Sequence, residues 1–170
     1  SSYAQAAAMA MGRAMDDVII TASTGTAYTG ETGSGTESAQ TAIAASVGTG
    51  TGLNITKLRT AKQLLDLADV DPSIPRHIVC GPEQITNLLG TTEVTSSDFN
   101  TIKALVHGEV DSFLGFKFTT STRLAKSGND RTVIAFAQDG ITLGIGKDIS
   151  ARIDERADKS YATQVYYCQS

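Results

Sequence analysis

Apolar residues recur at Ala4, Ala8, Met11, Met15, Val18 and Ala22. These alternating steps of four and three place them on one stripe of a helix. Gln5, Arg13, Asp16 and Asp17 fall off the stripe. A helix of about 20 residues is about 30 Å long, and its mostly small side chains suit close packing against a flat sheet. Gly12 weakens it by about 1 kcal/mol relative to Ala. From Ser23 to Ser38 the chain is rich in Gly, Thr and Ser with almost nothing to bury, so an extended or mobile loop is expected. "TAIAASV" follows and reads as a short element, and "GTGTG", Gly48 to Gly52, reads as a hinge.

The middle of the chain alternates between the two periods. Asn54 is placed to cap a helix with Leu58, Ala61, Leu65 and Ala68 on one face, ended by Pro72. "RHIVC" is a short apolar run, expected as a buried strand. Pro82 takes a first helical position with Glu83 behind it. Ile85, Leu88 and Leu89 form that helix's face, and Gly90 ends it. Ser97 or Asp98 caps a further helix bearing Ile102, Leu105 and Val106, closed by Gly108. "GEVDSFLGFKFTTSTRL" then predicts a hairpin. Gly115 is its turn and resets the alternation, so that Phe113, Phe116 and Phe118 face one core. "RTVIAFA" is apolar throughout, which predicts a strand covered on both faces.

Beyond "QDGITLGIG" the text alternates strictly. Ile149, Ala151 and Ile153 interleave with Ser150, Arg152, Asp154 and Arg156, and Val165 and Tyr167 interleave with Tyr166 and Cys168. Two antiparallel strands joined at "ADKS" are expected, apolar on one face and charged on the other. The first helix and these strands each have an unspent apolar face. The economical solution packs them together around an inserted mixed domain.

The chain has 170 residues and a net charge of −4, which argues against a dedicated nucleic-acid binder with a basic field. No apolar stretch reaches the length of a membrane span. Cys80 and Cys168 show no ligand spacing and read as plain thiols. Asn54-Ile55-Thr56 matches a glycosylation sequon but reads as a cap. The glycine pairs at Gly48/Gly50 and Gly144/Gly146 begin dinucleotide fingerprints, but Leu53 and Ile149 occupy the third place, and no P-loop lysine follows. His77 and His107 lie in no metal or catalytic spacing. No serine-nucleophile elbow occurs. The calcium-like start at Asp69 and Asp71 has Ile74 where glycine is needed. No catalytic, cofactor or metal residue is therefore assigned, and no cofactor is expected. The mixed-sign run containing Arg152, Asp154, Glu155 and Arg156 has two readings, a solvated strand end or ion pairs with a neighbouring subunit.

The order of segments resembles a known family. "AMAMGRAMDDVIITASTGTAYTG" is similar to the spine helix and following glycine-rich loop of tailed-phage major capsid proteins. "ALVHGEVDSFLGFKFTTSTRL" resembles that family's recurring turn, strand and turn. "VIAFAQDGITLGIGKDISARIDERADKSYATQVYY" resembles its return from axial to peripheral domain. The resemblance spans nearly the whole chain. It implies an α+β protein of the HK97-type fold: a long spine helix over a narrow antiparallel sheet, with an inserted mixed α/β axial domain. Residues 1–50 would be the peripheral helix and loop, 51–146 the axial domain, and 147–170 the return strands. The implied function is a coat subunit, assembling with itself in hexamers and pentamers into an icosahedral shell around double-stranded DNA. Scaffold, portal or decoration proteins would be further partners. DNA would be touched only weakly and non-specifically, and no membrane is involved. The chain would reside in the virion, with assembly in the host cytoplasm. The family's N-terminal arm, extended hairpin and final segment have no counterpart in the sequence, so a fragment is expected. The alternatives are a non-catalytic binding or adhesion module of a secreted or surface structure and, behind it, a small enzyme.

Overall fold

A single asparagine organises the start of the middle of the chain. In the computed structural model, Asn54 is almost fully buried and caps α2, Ile55–Leu67. Its Oδ1 accepts the Lys57 backbone N–H at 2.8 Å, and its Nδ2 donates to the Val47 carbonyl at 3.0 Å. The Lys57 ammonium donates to the carbonyls of Thr51 and Gly52. Gly48, at φ +79°, lies so close that a Cβ there would stand 2.7 Å from the Asn54 amide. The expected hinge is therefore a turn fastened to the helix it precedes. The sequence pattern could not show this, because the fastening comes from the far side of the cap residue. "TAIAASV" forms no helix or strand; it turns at Ala44–Val47, and Ile43 leans on the core.

The structure describes residues 2–28, 35, 37–38, 40–48, 50–90, 96–108, 111–147, 150–156 and 162–168. Contacts divide the chain into two compact units, a continuous one, Ala22–Ile141, and a discontinuous one, Ser1–Thr21 with Thr142–Ser170.

The continuous unit is built on a four-stranded mixed sheet. Its strands are β3 (Arg76–Cys80), β4 (Ser112–Phe113), β5 (Phe116–Thr120) and β8 (Ile134–Ala137), in the order β4-β5-β3-β8. β3 and β5 run parallel, and the other two pairs are antiparallel. Between β3 and β4 the chain passes through α3 (Pro82–Leu89) and α4 (Ser96–His107). Pro82 stands at the first turn of α3, and the Gln84 side chain accepts the Gly81 N–H at 2.9 Å. Ser97 and Asp98 lie inside α4 rather than capping it. The core joins Ile55, Leu58 and Ala61 of α2, Leu88 of α3, and Ile102 and Leu105 of α4 to the sheet residues Ile78, Phe113 and Phe116. Register places Arg76, Ile78 and Cys80 on the same sheet face as Phe116 and Phe118. The opposite face carries His77, Val79, Lys117 and Thr119, none of them buried.

Leu114 and Gly115 form the two-residue β4–β5 turn, with φ of +51° and +80°, the signature of a type I′ hairpin. Phe113 and Phe116 pair directly across it and are both buried, and Phe118 packs against the core from the same strand. Leucine is a poor residue for a positive φ. Here its side chain packs against the core, which offsets the backbone cost.

Two expectations need correction. β8 is an edge strand, with Ala135 exposed and only Ala137 buried, so "RTVIAFA" is not covered on both faces. An apolar run reports affinity for burial, not the number of neighbouring strands. α2 stops at Leu67, before Pro72. The Asp69 N–H reaches the Asp66 carbonyl, and the Val70 N–H reaches the Leu65 carbonyl, a Schellman motif with Asp69 at φ +55°. Glycine is the unstrained residue there. Asp69→Gly is expected to raise thermal stability by about 0.5–1 kcal/mol, measured by melting the purified chain. An unchanged or lower melting point would count against the motif.

Two small ribbons complete this unit. β1 (Ala27–Tyr28) pairs with β2 (Glu37–Ser38) inside the Gly/Thr-rich stretch, so its ends are ordered as a strand pair. Most of what lies between them is outside the described residues. β6 (Lys126–Ser127) and β7 (Asp130–Arg131) form a hairpin around Gly128-Asn129.

In the discontinuous unit, α1 covers Ser2–Ser23 and contains no buried residue. Its half-buried line runs Ala4, Ala7, Met11, Met15 and Ile19, while Ala8, Val18 and Ala22 are exposed. The expected stripe and the observed line share Ala4, Met11 and Met15. From Ala7 onward the half-buried positions step by four, more than one turn each time, so the line winds across the face toward Ile19 instead of following the stripe to Val18 and Ala22. The expected burial of the helix is also not met within the single chain. β9 (Ser150–Arg156) and β10 (Ala162–Cys168) pair antiparallel along their whole length. The expected junction at "ADKS" lies outside the described residues.

Candidate assembly surfaces

The β9–β10 register sorts the mixed-sign run. Ile153 pairs with Val165 and Ala151 with Tyr167, giving the apolar face that the alternation predicts. Arg152 pairs with Tyr166, Asp154 with Gln164 and Arg156 with Ala162, so the alternating charges +, −, + share the other face. Glu155 pairs with Thr163 and belongs to the apolar face. The four candidate residues are thus adjacent in sequence but divided three to one by the pleat. Arg152 is exposed.

Two charged ends of the continuous unit escaped the sequence reading. One lies where β3 begins. The Arg76 guanidinium, nearly buried, donates from Nη2 to Asp66 at 2.6 Å and to the Val70 carbonyl at 3.2 Å. Lys62 reaches the same carboxylate at 2.8 Å. The hydrogen bonds from Lys62 and then Arg76 hold the Asp66 carboxyl below its ordinary value. Asp71, whose Oδ1 accepts the Ser73 N–H at 2.9 Å, is lowered by that bond. The Gln138 N–H donates to the Pro75 carbonyl, which brings Asp139 to the same end. Asp69, Asp71 and Asp139 are all exposed.

The other end lies where β3 and β5 finish. Arg131 donates from Nη1 to the Thr122 carbonyl at 2.7 Å, and its Nε stands 3.2 Å from Glu83 Oε2. The hairpin is thereby clasped to the first turn of α3. Glu83 titrates low, first because its own backbone N–H donates to it and then because Arg131 and Lys126 stand near. Arg123 and Lys126 are exposed. The signal that could have found this hairpin is "SGND", a Gly-Asn two-residue turn with φ +60° at Gly128.

Cys80 is buried, and burial pushes its thiol up to about 11, far from thiolate chemistry at neutral pH. His77 stacks on Phe136 across the β3–β8 pair, with ring centroids 5.5 Å apart. Among the described residues no group of three His, Cys, Asp or Glu side chains could hold a metal ion, and no helix is long and apolar enough to cross a membrane.

What the described residues offer is uncovered faces and charged ends, the equipment of a subunit that finishes burying its surface in an assembly. A family model described as "Phage capsid protein" matches residues 1–170, and the chain belongs to that family. Its role is that of a capsid component, its place is the phage particle, and copies of itself are its partners in the shell. No curated protein and no solved structure matches the chain.

Proposed function

We propose that the chain is the major capsid subunit of a tailed phage, with an HK97-type fold, and that it closes into an icosahedral shell around double-stranded DNA. The observation that carries this is the family match over the whole chain. The division of contacts supports it: the two ends of the chain group in one unit and the stretch between them forms another. We assign residues 1–50 and 147–170 to a peripheral domain and 51–146 to an axial domain, although residues 22–50 make their contacts with the middle of the chain. Hexamers and pentamers form in the host cytoplasm, where scaffold, portal and decoration proteins join. The net charge of −4 suits a wall that surrounds DNA without trapping it. Function then lies in geometry and in many weak contacts that close together. Negative-stain microscopy of the full-length protein tests the reading. Shells or five- and six-membered rings support it, and a monomer without rings at high concentration overturns it.

The charged face of β9 is assigned to subunit contacts within this reading. Arg152, Asp154 and Arg156 pair with a neighbouring copy, and Glu155 contributes from the opposite face. The double change Arg152→Glu with Arg156→Glu should leave far-ultraviolet circular dichroism unchanged and lower the yield of particles at least about tenfold. Undiminished assembly would make the run a solvated strand face.

A further inference from the structure

The two charged ends described above lie at opposite ends of one sheet. Arg76, the first residue of β3, pairs with Ala137 of β8 and anchors Asp66, while the exposed Asp69, Asp71 and Asp139 belong to the same end. Cys80, the last residue of β3, pairs with Thr120, and the Ser121 N–H donates to the Cys80 carbonyl. From there the chain runs directly into Arg123, Lys126 and Arg131. The first end holds four carboxylates against the two cations Lys62 and Arg76. The second holds three cations against the two carboxylates Glu83 and Asp130. The five residues of β3 separate them by about 16 Å of strand, beyond the reach of direct pairing and of most of the screened field. Within one chain the two ends do not pair with each other.

A second copy can bring ends of opposite net charge together. We propose that the acidic end of one copy docks on the β6–β7 hairpin end of the next, a head-to-tail contact between continuous units. The inference rests on the capsid reading, because it takes self-association as given and names one surface that performs it. The occupant is another copy of this chain, since the two patches are complementary in sign and the family assembles from its own copies. A head-to-tail contact repeats around an axis and closes into a ring when the rotation allows. Exposed pairs of this kind fix register and steer encounter more than they hold, which suits a contact repeated many times and corrected during assembly. The Arg131–Glu83 clasp has a part in this. It ties the hairpin to α3, so Arg123 and Lys126 are presented on a fixed support.

Charge reversal in the full-length chain tests it, with assembly followed by sedimentation and negative-stain microscopy. Asp71→Lys with Asp139→Lys makes both ends basic, and Arg123→Glu with Lys126→Glu makes both ends acidic. Each is expected to fold with unchanged circular dichroism and to raise the concentration needed for assembly at least about tenfold. All four changes in one chain reverse the contact without abolishing it and should return assembly to within about threefold of the parent. An equal mixture of the two double variants should assemble where neither does alone. Its copies must alternate, so its rings are even-membered. Reversed chains that assemble like the parent, a fourfold variant as poor as either double, or odd-membered rings from the mixture would overturn the contact. Should a double variant lose its fold, Asp71→Asn with Asp139→Asn and Arg123→Gln with Lys126→Gln carry the same test, with the same sign and smaller size. If the parent chain itself forms no rings or shells, the capsid reading falls and the contact with it. If the parent assembles and the reversals change nothing, the contact alone falls.

Discussion

Replacing Phe116 with alanine is expected to lower the stability of the continuous unit by about 3–5 kcal/mol. The ring is fully buried. It sits directly opposite Phe113 across the I′ turn and opposite Arg76 in the parallel β3–β5 pair. Helices α2, α3 and α4 all contribute side chains to the same cluster. A cavity there is walled by three helices and the sheet, so little can relax into it, which places the loss toward the upper part of the range. A typical domain is stable by only about 5–15 kcal/mol, so the variant should stand near its unfolding threshold. Denaturant titration of unassembled chain is the measurement. The midpoint should fall with an unchanged slope, and Phe116→Leu, which keeps most of the volume, should lose less than about 1.5 kcal/mol. A loss below 1 kcal/mol in the alanine variant would remove Phe116 from the centre of the core.

Asn54→Ala is expected to cost about 2–3 kcal/mol. Loss of a helix cap accounts for about 1 kcal/mol. The remainder follows from the Val47 carbonyl, which loses the donor that holds it in a partly buried place. Asn54→Ser separates the two contributions. It can still accept the Lys57 N–H but cannot reach Val47 with a donor, so about 1 kcal/mol should return and no more. Equal stability of the serine and asparagine chains would show that the turn at Gly48–Gly52 holds without Asn54.

Local chemistry explains which elements were legible in the sequence. The Asn54 cap, Pro82 at a helix start, the Leu114-Gly115 turn and the alternation on β9 each depend on residues within a few positions of one another, and each stands where the sequence put it. Features that depend on distant partners were not legible. The glycine turn before α2 is fixed by a side chain that also caps a helix. β8 is an edge because, among the described residues, nothing pairs beyond it in the sheet, which no window of "RTVIAFA" contains. The stop at Asp69 was hidden because a non-glycine residue takes the left-handed place. Of the candidate surfaces, Arg152, Asp154 and Arg156 could be read to a common face, and strict alternation already separates Glu155 from them. The two charged ends could not be read, since Asp139 is brought to the Arg76 end of the sheet only through the β3–β8 register.

The discontinuous unit also sets an order of events during synthesis. Its helix is made first, but its strands lie beyond Thr142, and the whole of Ala22–Ile141 must be translated between them. At about 5–20 residues per second, that interval is on the order of ten seconds, long enough for the continuous unit to fold while α1 waits. The surfaces on β9 and β10 therefore come into being last, on chains whose middle has already closed. Chains stalled with residue 145 joined to a flexible linker long enough to bring Ala22–Ile141 clear of the ribosomal exit tunnel should then show a protease-resistant middle and a cleavable α1, and the opposite pattern would reverse this order. A subunit made in many copies gains from such timing: neighbouring chains still under synthesis have no β9 edge to offer one another.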